Sequence, residues 1–84
     1  MNEQELIEQL ASKEHASWAH WMEYLFSKCD MLPDGSAVIP GEAARHWQRL
    51  ILVPYVHLTE REKQSDRDEV AHILPIIRAF KEEL

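Results

Sequence analysis

The sequence predicts a small all-α bundle of three to four helices, with an extended connection at Leu52-Val53-Pro54-Tyr55. Three observations predict it. Apolar residues recur at helical spacing near both ends of the chain. Helix-start signals stand ahead of both stretches, at Asn2 and Thr59. The chain-breaking residues Pro33, Gly35, Pro40, Gly41 and Pro54 all fall between them.

The first helix begins at Asn2, a good cap, with Glu5 three residues on to complete a capping box. Ile7, Ala11, His15, Trp18, Met22, Leu25 and Cys29 then recur in steps of three and four, which describe one helix face. Trp21 and Phe26 widen that stripe, so the helix is apolar on more than one side. Such a helix is on the order of 40 Å long at 1.5 Å per residue. That is long for an 84-residue chain, and a break, if there is one, belongs near Ser12–His15.

Residues 30–39 read as loop. Pro33-Asp34-Gly35 is a turn in which proline presets φ and glycine accepts positive φ. Pro40 suits the first turn of a second helix, where its missing N–H costs nothing. Ala43, Ala44, Trp47, Leu50 and Ile51 give that helix its apolar face. Pro54 pushes the residue before it out of the α region, so residues 52–56 are expected to run extended. Thr59-Glu60-Arg61-Glu62 is a capping box that opens the last helix. Val70, Ile73, Leu74, Ile77, Phe80 and Leu84 form its expected buried face, with a kink or break at Pro75.

Composition frames the functional classes. Eighty-four residues make one domain, residues 1–84, near the lower limit for a core without staples. The apolar share of 45% and charged share of 29% are those of an ordinary globular chain. With Cys29 alone there is no intramolecular disulfide, which fits a reducing compartment. No apolar run reaches membrane-spanning length, and MNEQELIEQL lacks the features of a signal peptide. The expected location is therefore cytoplasmic, with no membrane partner. A net charge of −6 disfavours a nucleic-acid polymer as partner. Charge is unevenly spread, however: between Arg45 and Arg67 five basic residues outnumber three acidic ones, a local environment that suits a small anion.

No catalytic constellation is legible. His15, His20, His46, His57 and His72 include no pair at the three- or four-residue spacing that sets two metal ligands on one helix face. Two glycines cannot build a phosphate-binding loop, and no serine sits in a nucleophile-elbow context. The expectation is a non-enzymatic protein with no metal and no cofactor. What stands out is aromatic: Trp18, Trp21, Tyr24, Trp47 and Tyr55 all lie on or beside apolar faces. The last helix also opens with like charges at i,i+4, Glu62 with Asp66 and Lys63 with Arg67, each mildly unfavourable on an isolated helix. Such a block makes sense if its members reach partners elsewhere.

Three sequence blocks carry a resemblance. Ala11-x-x-x-His15-x-x-Trp18, Leu52-Val53-Pro54-Tyr55-x-x-Leu58 and Glu62-Lys63-x-x-Asp66-Arg67, in that order, resemble the ryanodine-receptor repeat, or RyR domain, across roughly residues 8–80. Between the blocks this chain departs from the family pattern, with a turn and a helix in CDMLPDGSAVIPGEAARHW. The resemblance implies a mainly helical fold of the stand-alone bacterial or phage type. His15, Trp18, Pro54, Tyr55, Lys63, Asp66 and Arg67 are its family-matching positions. Two functions are expected from these readings. The first is a protein-interaction module that docks through an aromatic and apolar face, onto another protein or as a homodimer, with Trp21, Tyr24 and Phe26 on the surface. The alternative is a binding module for a nucleotide-derived anion, held by Trp18, Trp47, Tyr55, Lys63, Arg67 and Arg49.

Overall fold

Asn2 opens α1 as expected: its Oδ1 accepts from the Glu5 backbone N–H at 2.8 Å. The computed structural model describes residues 1–84, and α1 runs unbroken through Glu3–Lys28, with no interruption at Ser12–His15. The following loop carries a feature the sequence did not suggest. Asp30–Met31 (β1) and Ala37–Val38 (β2) pair antiparallel, with Asp30 opposite Val38 and Met31 opposite Ala37. The turn between them rests on Gly35 at φ 90° and on Asp34, whose Oδ1 accepts from the Ser36 N–H at 2.9 Å. Strands of two residues are too short to leave an alternation in sequence.

Helix α2 spans Gly41–Leu52, with Pro40 as its N-cap. The expected extended connection is corrected in part. Val53 and Pro54 are extended, but Leu52 closes α2 and Tyr55–His57 form a 3₁₀ turn. Proline constrains the residue before it and not those after it. The chain therefore recoils at once, with the Pro54 carbonyl accepting from His57 N–H at 2.9 Å and the Tyr55 carbonyl from Leu58 N–H at 3.0 Å. Thr59 and Glu62 form the full reciprocal capping box of α3, Glu60–Glu82. The expected break at Pro75 is absent, and α3 continues through it. Ile73, Ile76 and Phe80 anchor both flanks of the proline, so the lost hydrogen bond does not divide the helix.

Helices α1 and α3 pack antiparallel: Ser17 Oγ donates to Glu69 Oε2 at 3.0 Å midway, and the Met1 amino group pairs with Glu83 at one end. The expected faces are covered only in part: Met22, Leu25 and Cys29 of the α1 stripe and Ile73 and Phe80 of the α3 stripe are half-buried, whereas Ile7, Ala11, Trp18, Val70, Leu74 and Ile77 are exposed. On α1 the covered positions in this stretch are Leu6, Leu10 and Ser17; on α3 they are Glu69, Ile73, Ile76 and Phe80, with Ala79 beside them. At 100° per residue, the stripe of Ile7, Ala11 and Trp18 lies about 100° around α1 from that contact face. Val70, Leu74 and Ile77 lie about 100° around α3 in the same sense. An antiparallel pair is related by an approximate two-fold axis perpendicular to its plane, so equal rotations point to the same side of the layer. That side carries one continuous apolar face.

The molecule is thin. Its extents are 51 × 35 × 16 Å and its radius of gyration is 16.9 Å, against about 12 Å for a compact 84-residue domain. Ile76 is the single buried side chain, at 9% exposure.

Candidate functional site

Two regions gather the chemistry-bearing side chains. The first lies where the C-terminal half of α1, the middle of α2 and the start of α3 converge. A cleft of about 650 Å³ opens there, lined among others by Trp21, Tyr24, Trp47, Leu50, Glu62 and Asp66. Trp21 and Tyr24 stand edge to face, 6.0 Å between centroids at 88°. Trp47 also borders a neighbouring cleft of about 480 Å³ with Tyr24 and Lys28, and Lys28 Nζ sits 5.3 Å from the Tyr24 ring. The walls carry the aromatic and apolar side chains, and the charged groups at the rims are of both signs, Glu62 and Asp66 with Arg61 at the larger cleft and Glu42 with Lys28 at the smaller.

Three members of the like-charge block of α3, Glu62, Lys63 and Arg67, have ion-pair partners within the chain, and Asp66 has none. Glu62 caps the helix and also accepts from Arg49 Nη2 at 2.7 Å, which ties α2 to α3. The Thr59 backbone N–H first, and Arg49 second, hold the Glu62 carboxyl below its ordinary range. Glu60 collects Arg67 at 3.4 Å and Lys63 at 3.6 Å, and these two, the Arg67 hydrogen bond foremost, lower its carboxyl likewise. Lys63 Nζ also lies 5.7 Å from the Tyr55 ring. Glu60 first, and Tyr55 after it, raise the already high pKa of Arg67.

Six residues carry the expected anion site, and the structure brings only some of them together. Tyr55, Lys63 and Arg67 form one cluster, with Glu60 supplying its own negative charge at the centre. Arg49 is engaged by Glu62, and Trp47 faces the cleft. Trp18 stands apart, 57% exposed on α1 and stacked on His15 at 5.8 Å. Of the family-matching positions, Asp66 borders the cleft and Pro54 ends the extended step after α2.

The second region is the apolar side of the α1–α3 layer. Ile7 at 49% and Trp18 at 57% exposure on α1 face the same way as Val70, Leu74 and Ile77 on α3. Trp21, Tyr24 and Phe26 are exposed as well, and Ile51 and Leu52 reach 81%. Sequence reasoning did not single out Glu60, the carboxylate that Lys63 and Arg67 share, although its i,i+3 spacing to Lys63 was a usable signal.

Comparison with protein-family models, with curated proteins and with solved structures gives no match. No helix is long and apolar enough to cross a membrane.

Proposed function

We propose that this chain is a non-enzymatic protein-interaction module that docks through its uncovered aromatic and apolar surface. One observation carries the reading. The chain buries a single side chain, while seventeen large apolar or aromatic residues remain exposed. Burial of apolar area is the dominant favourable term in folding, so a chain this thin leaves most of it unspent. Its accessible surface of 6893 Å² exceeds by about 1,700 Å² the value expected of a compact monomer of 9.9 kDa. Clustered exposure of large apolar side chains marks interaction sites in soluble proteins.

The nucleotide reading has less behind it, because Arg49, Lys63 and Arg67 are each engaged by a carboxylate of the chain itself. The likeness to the RyR repeat enters as part of the proposal: its matching residues Tyr55, Lys63 and Arg67 act as fold-holding groups, and docking falls to the helix faces.

Small-angle scattering, light scattering and binding of an environment-sensitive dye test this reading together. An extended monomer that binds dye, or a chain recovered only as an assembly, is the expected result. A compact dye-silent monomer with a radius of gyration near 12 Å would refute it.

A further inference from the structure

Resting on that reading, we propose that the occupant of the apolar α1–α3 face is a second copy of this chain, so that two α1–α3 pairs close into an antiparallel four-helix bundle with α1 of each copy lying on α3 of the other. Area, geometry and charge support the second copy independently.

The excess surface is about 1,700 Å² per chain over the whole molecule, an upper bound of about 3,400 Å² on what two chains could cover between them. An obligate homodimer needs roughly 2,000 Å² of that. The geometry is self-complementary. The layer is 16 Å thin, and its α1 and α3 have 26 and 23 residues, close enough in length for one pair to cover the other. Ile7, Ala11 and Trp18 would then meet Val70, Leu74 and Ile77 of the second copy, the interlayer core that four-helix bundles require.

Charge selects which helix lies on which. The acids bordering the apolar face on α1 are Glu3, Glu8 and Glu14, and none has an ion-pair partner within its own chain. On α3 the charges on and beside that face are Lys63, Arg67, Arg78 and Lys81 against two acids, Glu60, which Lys63 and Arg67 already hold, and Asp66, so α3 is net basic there, while on α1 Lys28 is the one base beside the stripe. A two-fold axis parallel to the helices sets α1 over α3 of the second copy, acid beside base. An axis across the helices sets α1 over α1, acid beside acid. The first arrangement also keeps residues at their own height along the layer. Met1 stands opposite Glu83 and Ser17 opposite Glu69, so Glu8 comes level with Arg78 of the second copy. Within one chain Glu8 and Arg78 lie on opposite outer edges of the layer, each turned about 170–180° from the contact face, too far apart to pair.

Charge exchange therefore tests the arrangement without touching the interior. Light scattering of the full chain is expected to give twice 9.9 kDa, and each of Glu8→Arg and Arg78→Glu is expected to raise the dissociation constant about fivefold or more, since two symmetric pairs are lost at once. The double variant is expected to return to within about twofold of the parent. In a Cys29→Ser background, Ala11→Cys should be protected from maleimide in the dimer and released on dilution, while Ser12→Cys, turned about 120° from the centre of that face, labels freely throughout. Absence of rescue in the double variant, or equal labelling of the two cysteines, overturns the arrangement. A monomer that is extended and dye-binding overturns the second copy and leaves the docking reading standing. A compact, dye-silent monomer overturns both.

Discussion

Ile76→Ala, set beside Leu74→Ala, tests which side of α3 packs on α1. Both substitutions remove about three carbons, worth roughly 2.4 kcal/mol of transfer at 0.8 kcal/mol each. Ile76 is 9% exposed, so nearly all of that applies, and a cavity between two helices adds to it, for a cost of about 2–4 kcal/mol. Leu74 is 37% exposed, which scales its loss to about 1.5 kcal/mol, with water able to fill the space. In a domain of this size 1 kcal/mol moves Tm by about 4–8 °C, so the two variants are separable. Urea unfolding at several protein concentrations gives both values, provided m is unchanged. At the lowest concentration that keeps the chain folded, Ile76→Ala should cost more. As concentration rises and the second copy covers Leu74, the gap should close. A Leu74→Ala variant that costs more than Ile76→Ala at every concentration would mean that α3 turns its Val70–Leu74–Ile77 face to α1, and the apolar side of the layer would vanish with it.

Thr59→Ala removes the acceptor of the Glu62 N–H and half of the capping box, and should cost about 1 kcal/mol in urea unfolding; an unchanged midpoint would remove the cap from the account of α3. Glu60 and Glu62 titrate below their ordinary value of 4.5 in the folded chain. The stability they contribute is therefore complete above that value and is lost as pH falls through the lowered folded one. Thermal midpoints should be level from pH 7 to 5 and fall below about pH 4.5, less steeply in Glu62→Gln; parallel profiles for parent and variant would contradict the Arg49–Glu62 tie. Nucleotides, cyclic oligonucleotides and ADP-ribose derivatives should leave Tm unmoved, whereas a bound ligand at ~100 times its dissociation constant would add about 2.7 kcal/mol and reopen Tyr55, Lys63 and Arg67 as an anion site.

The local grammar of this chain is legible because it is local. Asn2 and Thr59 cap the helices they introduce, and Gly35 takes the positive φ that the Pro33-Asp34-Gly35 turn requires. What misleads is the assumption that an apolar stripe is buried within its own chain. Periodicity shows which residues share a face and is silent on what covers it. The stripe from Ile7 to Cys29 is a true helix face, and its C-terminal members Met22, Leu25 and Cys29 are half-buried, yet in its N-terminal half Ile7, Ala11 and Trp18 stay exposed while Leu6, Leu10 and Ser17 are covered. In the same way Ile76, which fell outside the expected stripe of α3, is the one residue buried. Glu60 escaped notice because it stood in the sequence as part of a capping box, although i,i+3 and i,i+7 spacing set Lys63 and Arg67 on its own face of α3.

Those mismatches point in one direction. A helix that is apolar on two sides needs two neighbours, and along its N-terminal half α1 has only α3, since α2 approaches it only from Trp21 onward. The polar residues divide along the same line. The Glu62–Arg49 tie, the Glu60–Lys63–Arg67 cluster and the capping box spend their charges inside the chain, where they fix α2 and the 3₁₀ turn against the start of α3. Glu3, Glu8 and Glu14 on α1, and Arg78 and Lys81 on α3, spend none of theirs there, and they border the uncovered apolar face with opposite signs on its two helices. A chain of net charge −6 repels its own kind at long range, a penalty that salt screens beyond about 8–10 Å, while acid-to-base contacts across the face act within that distance. Moderate salt should therefore strengthen association of the parent chain before high salt weakens the Glu8–Arg78 contacts. For the charge-exchanged single variants, where contact and net repulsion have the same sign, added salt should strengthen association throughout.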